Sequence, residues 1–305
     1  EFLISKFGKN AMAIFSILYS GFKNTNNIFR SLVGYNLNKN IYEDNKSELN
    51  INNWRLLEFF KFISNIFIVK LPIYCPNWMP NIIKVLFFGN NSKLIIDSNE
   101  SSENNCKVLY INGILSNEKV VLETKNILTR MIKKPINILH NVTDSLLSDL
   151  IECLIGKTTQ QLTEPSTIAL FEISKFLLDP KTSKIIIIAH SQGTIITATL
   201  LNNLYKLGLD KKEYLEKLEI YAFANCSSKM KYIIDDLPYM EHFANKEDFV
   251  AKLGCNCDKD IKELIDIDGK IFINENGSGH MLNSHYLLNF KNNFPESKFN
   301  TYIYD

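Results

Sequence analysis

In Lys184-Ile185-Ile186-Ile187-Ile188-Ala189-His190-Ser191-Gln192-Gly193-Thr194-Ile195-Ile196 four consecutive isoleucines end abruptly on small and polar residues before an apolar run resumes. A continuous aliphatic run of this length reads as a strand buried on both faces, which is the signature of a parallel sheet covered by helices. The following Thr194 to Leu201 has helical texture, so Ala189 to Gly193 is a strand-to-helix turn. A turn sharp enough to lift the Ser191 side chain clear of the sheet crowds the positions two before and two after it, and these are Ala189 and Gly193. Ser191 would then stand at a helix N-terminus, where free N–H groups and the helix dipole favour developing negative charge. A serine that only caps a helix is the plainer alternative.

The same texture extends outward in both directions. Short apolar strands alternate with helical segments from residue 107 onward: strands over 108–111, 136–139, 184–189, 218–224, 240–244 and 270–274, with a last helix after them. Such alternation predicts an α/β fold, a mostly parallel central sheet flanked by helices. Residues 1–100 differ. They read as a helical region with Asn-rich loops and no strand pattern before 93–97, and residues 101–305 form the α/β domain. Within the first part, polar residues of 54–69 fall on a single stripe (Arg55, Glu58, Lys61, Ser64, Asn65). The wide apolar face that remains fits a helix packed beneath others, or one that touches a lipid surface. The apolar segment 146–155 and the helices of 1–100 are candidates to cap a site, which favours acyl chains over polar substrates.

Composition narrows the function. Lys+Arg 34 against Asp+Glu 33 gives a net charge of +1, and only Arg30, Arg55 and Arg130 are arginines. This is a poor endowment for nucleic acid, which calls for a basic surplus and forked phosphate contacts. No stretch approaches the ~18 uncharged apolar residues of a membrane span. Six Cys are scattered, several within apolar runs, as expected of reduced buried thiols. Cys255 and Cys257 are a close pair without a second pair or a spaced His, so no zinc site is expected, and no other metal or cofactor. A reducing, intracellular location is expected, cytoplasmic or at a membrane periphery. A chain that starts at Glu1 leaves a targeting segment open.

A serine nucleophile needs a base, and the base an orienting group. Asp248, just past the 240–244 strand, is the candidate acid, with Glu247 weaker and Asp235 and Asp236 at the wrong end of the strand. Of five His, His280 and His285 follow it. His280 sits in a loop with Gly277 and Gly279 at the right edge of the sheet, and His285 is the alternate base. An oxyanion would be held by the N–H of Gln192 and by one from the loop Asn112-Gly113-Ile114, that of Ile114, with Gly113 allowing close approach. His140 and Asn112 are placed to line the pocket. His190 flanks the nucleophile and should point between neighbouring strands.

The set Asn112-Gly113-Ile114, His140-Asn141, Ala189 to Thr194, Asn245 with Asp248, and Gly279-His280 with His285-Tyr286-Leu287 resembles the α/β-hydrolase superfamily, within it lipase-like serine hydrolases. The resemblance spans about residues 106–290. It implies an α/β-hydrolase fold, a triad of Ser191, Asp248 and His280, oxyanion donors Gln192 and Ile114, no cofactor, and a small-molecule ester or lipid as substrate. Two departures stand out: Ala189 replaces the first Gly of the motif, and Asn112 stands where many members have His. A thioesterase, amidase or acyltransferase on the same triad, and a non-catalytic binding module of the same fold, are the alternatives.

Overall fold

The computed structural model describes residues 92–95, 105–113, 116, 118–141, 162–257, 262–263 and 265–304. The segment 54–69, the helices expected in 1–91, the candidate cap at 146–155 and Ile114 lie outside the described residues.

Seven strands form one sheet in the order β1-β3-β2-β4-β5-β7-β9. They are β1 (Lys93–Ile95), β2 (Cys106–Ile111), β3 (Asn137–His140), β4 (Lys184–His190), β5 (Leu218–Phe223), β7 (Tyr239–Asn245) and β9 (Lys270–Asn274). Every pairing is parallel except β1 with β3. The isoleucine run lies in β4, flanked by β2 and β5, and Ile185 to Ile188 are fully buried. The expected strands are thus present with ends shifted by one or two residues. Two additional strands of two residues each, β6 (Lys229–Met230) and β8 (Asp266–Ile267), pair in a separate ribbon.

Alternation along the strands assigns residues to two faces. Val108, Tyr110, Ile186, Ile188, Tyr221 and Phe243 point to one side. There they meet Val121, Leu128 and Ile132 of α1 (Glu118–Ile132), and Tyr286, Phe290, Phe294 and Phe299 from the end of the chain. Leu109, Ile111, Ile185, Ile187 and Ala189 point to the other, against α2 (Glu164–Leu178) and α3 (Gln192–Leu201). Each fully buried aliphatic or aromatic side chain stabilises the fold by about 1.5–3 kcal/mol. The first face is the aromatic one: Phe223 and Phe243 rings lie 4.8 Å apart, Phe243 and Phe290 5.0 Å, Tyr221 and Phe299 4.7 Å. α2 starts at a capping box between Thr163 and Ser166, with Pro165 in its first turn where no N–H is required.

The two edges of the sheet differ in character. At the edge where β4, β5 and β7 begin, two buried carboxylates collect donors. Glu219 accepts from Lys184 Nζ at 2.6 Å, Lys298 Nζ at 2.7 Å, and the hydroxyls of Tyr221 and Tyr302 at 2.7 Å. Glu241 accepts from Tyr239 OH at 2.5 Å, Ser297 Oγ at 2.6 Å and the Lys298 N–H at 2.9 Å. Burial alone would raise the Glu219 carboxyl; the four donors outweigh it and hold the group at about 2. Together these bonds fasten residues 297–302 to the sheet. The opposite edge, where the parallel strands end, carries Asn112, Asn141, Ser191, Asp248 and His280.

Candidate active site

β4 ends at His190, and Ser191 takes φ 55 and ψ −124 before α3 begins. A side chain in that region of backbone space is strained, of order 1–3 kcal/mol, and persists only where surrounding bonds over-determine it. They do so here. Ser191 N–H donates to the Phe223 carbonyl at 3.0 Å, and the Ser191 carbonyl accepts from Thr194 N–H at 2.9 Å and Thr194 Oγ1 at 2.6 Å. Thr194 Oγ1 in turn accepts from the Cys226 N–H at 3.2 Å, tying the bend to the chain beyond β5. The bend is packed as tightly as the motif implied. A Cβ on Gly193 would lie 2.3 Å from the Ile111 carbonyl oxygen, and one on Gly113 2.5 Å from Ser191 Cβ. Both contacts are forbidden, so the start of α3 and the turn after β2 close on each other only as glycines.

His280 is the imidazole beside Ser191. Its Nε2 lies 3.0 Å from Ser191 Oγ, and its Nδ1 2.9 Å and 3.1 Å from the two oxygens of Asp248. With a carboxylate on Nδ1, the neutral ring carries its proton there and leaves Nε2 to accept from the serine hydroxyl. All three residues are buried. Burial acts to raise the Asp248 carboxyl, yet the His280 charge, bonds from His280 and Tyr286, and the Val250 N–H bring it below its ordinary value. Asp248 caps α4 (Phe249–Lys252), accepting from Val250 N–H at 2.9 Å. Its second oxygen accepts from Tyr286 OH at 2.6 Å. The Tyr286 hydroxyl accepts from the Asn245 N–H at 3.1 Å, and its own pKa is driven far up, first by burial and then by the Asp248 charge.

The loop that delivers His280 is fixed from below. Gly279 adopts φ 86, and a Cβ there would lie 2.7 Å from the His285 ring. Asn245 Nδ2 donates to the carbonyls of Gly279 at 3.1 Å and His285 at 3.2 Å, and its Oδ1 accepts from Asn274 Nδ2 at 3.2 Å. His285, the alternate base by sequence, lies in a short π-helical segment, Leu282–Leu287, instead of a regular last helix. Its Nδ1 accepts from the Met281 N–H at 3.0 Å, so this ring serves its own turn, with Gly279 packed against it.

His190, expected to flank the nucleophile and point between strands, is buried beside His280. It packs on His280, ring centroids 4.7 Å apart, and its Nε2 donates to the His280 carbonyl at 2.9 Å. Burial, followed by repulsion from His280, lowers it to about 3, so it stays neutral and adds no charge beside Ser191, His280 and Asp248. His140 is buried at the end of β3, where its Nε2 donates to the Ser116 carbonyl at 3.2 Å and burial lowers its pKa. Asn112 and Asn141 bond to each other across the ends of β2 and β3, and Asn141 Nδ2 donates to Gln192 Oε1 at 2.5 Å. Tyr286, Asn245 and Asn141 thus acquire roles that no motif assigned. Among the described residues no three His, Cys, Asp or Glu are grouped to hold a metal ion, and no helix is long and apolar enough to cross a membrane.

No family model matches the chain, and neither does any curated protein. Among solved structures it is similar to a cutinase-like protein from Cryptococcus sp., at 15% identity and a TM-score of 0.28. That match covers 42% of this chain and 58% of the other, so the chain spans little more than half of its length. A likeness this slight carries no argument about chemistry.

Proposed function

We propose that the protein is a serine hydrolase of the α/β-hydrolase type that cleaves a carboxylic ester, with Ser191, His280 and Asp248 as its triad. The observation that carries this reading is the unbroken chain of bonds from Ser191 Oγ to His280 Nε2 at 3.0 Å and from His280 Nδ1 to Asp248 at 2.9 Å. A binding module has no use for a strained serine aligned with an imidazole and a buried carboxylate. The chain order Ser, Asp, His at the ends of parallel strands agrees with it.

In this mechanism Ser191 Oγ attacks the ester carbonyl while His280 Nε2 takes its proton. Asp248 stays ionised, holds the ring by Nδ1 and stabilises the imidazolium. The oxyanion is bound by the Gln192 N–H at the start of α3 and the Ile114 N–H; removing one such donor raises the barrier by about 3 kcal/mol. Collapse expels the alkoxide, which His280 protonates. Water then repeats the sequence on the acyl-enzyme and frees the acid. A lipid-like acyl group is the favoured substrate, on the strength of the apolar segments at 54–69 and 146–155.

A fluorophosphonate probe tests the reading. It labels the wild-type protein and fails on Ser191→Ala, and p-nitrophenyl esters of graded acyl length are hydrolysed by the former alone. A wild-type protein that neither labels nor hydrolyses any ester overturns the assignment.

A further inference from the structure

Asn112 interrupts the resemblance to lipase-like enzymes, and its surroundings explain why an amide stands there. The residue is fully buried immediately beyond the end of β2. Its Oδ1 accepts from the Asn141 N–H at 2.8 Å, and its Nδ2 donates to the Asn141 carbonyl at 2.9 Å. The side chain therefore pairs with the Asn141 main chain as a further strand residue would, extending the β2–β3 ladder past the last paired step, Ile111 with Leu139. The remaining Nδ2 proton goes to the Gly113 carbonyl at 2.8 Å. All hydrogen-bonding capacity on the donor side is spent on two carbonyls, a pattern that aspartate cannot supply and that an imidazole cannot match on three partners.

One partner lies against Ser191 and the other against the residue that follows it. The position of a Gly113 Cβ is 2.5 Å from Ser191 Cβ and 3.1 Å from Ser191 Oγ, so the chain at Gly113 lies against the nucleophile. On the other side, Asn141 passes the constraint to Gln192: Asn141 Nδ2 donates to Gln192 Oε1 at 2.5 Å, and Gln192, itself buried, offers the first donor from its backbone.

We propose that Asn112, which holds Gly113 against Ser191 and acts through Asn141 on Gln192, is the positioning residue of the oxyanion site, locking the Gln192 donor and the turn at Gly113 to the ends of β2, β3 and β4. This rests on the hydrolase reading and goes beyond it. Neither Asn112 nor Asn141 transfers a proton. Their work is to hold the backbone around the Gln192 N–H where an oxyanion forms, and such preorganisation acts on the transition state more than on the bound ester.

The test is the kinetics of p-nitrophenyl butyrate hydrolysis by the full chain and by Asn112→Ala, Asn141→Ala, the double variant and Gln192→Met, each with a thermal melt. Gln192→Met leaves the Asn112–Asn141 pairing untouched and serves if the others fold poorly. The expected result is a fall in kcat of about a hundredfold for Asn112→Ala, KM within a factor of about two, and a pH profile of unchanged shape. Gln192→Met falls about tenfold, and the double variant is no worse than Asn112→Ala alone, as befits groups acting as a unit. Variants that melt lower yet keep kcat within about threefold of wild type overturn the inference and leave the hydrolase intact. Loss of ester hydrolysis and of probe labelling in the wild type removes both.

Discussion

Tyr286 is the residue that ties Asp248, the proposed acid, to the aromatic core. Its ring packs edge-on to Phe223 at 6.0 Å while its hydroxyl reaches Asp248. In Tyr286→Phe the ring stays and the donor goes. A hydrogen bond to a charged group contributes about 1.5–3 kcal/mol, so urea denaturation should show a loss of that order. Catalysis should suffer less, by several-fold in kcat with KM unchanged. With one donor fewer, Asp248 binds protons more tightly, and the acid limb of kcat/KM should move to higher pH. An unchanged limb and unchanged stability would show that the 2.6 Å contact is idle. Ser191, Asp248 and His280 were legible in the sequence because each belongs to a turn whose geometry restricts residue type. Tyr286 was not: an aromatic inside Leu282-Asn283-Ser284-His285-Tyr286-Leu287 reads as core, and only its tip is chemistry.

At the level of elements, the elbow is built by mutual exclusion of side chains. Gly193 belongs to α3, and its missing Cβ is the space occupied by the Ile111 and Asn112 carbonyls at the end of β2. Gly193→Ala should cost about 1–3 kcal/mol or more by overpacking against backbone that has nowhere to go, and the activity loss should exceed what the stability loss explains. Equilibrium unfolding combined with kcat on the folded fraction separates the two. The six parallel strands were legible because continuous aliphatic runs between helical segments allow few other readings. β6 and β8 were not, since two residues carry no period. The segment after β9 was expected as one helix and is instead a π-helical segment followed by the short α5 (Phe290–Asn293). Its apolar spacing fits either, and contact with Asp248 and the sheet decides between them.

Among the described residues, Glu219 and Glu241 lie buried at one edge of the sheet and Asp248 at the other. Glu219 was invisible to sequence reasoning because Leu218-Glu219-Ile220-Tyr221 looks like a strand with one wet face, and two of its partners, Lys298 and Tyr302, lie 79 and 83 residues further on. Its ordinary pKa of 4.5 falls to about 2 in the fold. A carboxylate depressed in this way contributes stability that is complete above its unfolded value and is lost as pH falls toward the folded one. The contribution is about 3 kcal/mol. Glu219→Gln should therefore lower the unfolding free energy at neutral pH, and urea titrations at stepped pH should show a shallower decline between 4.5 and about 2 than the wild type. Asp248, also depressed, accounts for part of the slope that persists. Because the ion-pair latch and the proposed reacting groups occupy opposite rims, the share of acid tolerance that Glu219 carries is separable from turnover. Selection for one can reshape a single rim while the other is inherited unaltered, which makes this sheet a permissive scaffold for directed evolution.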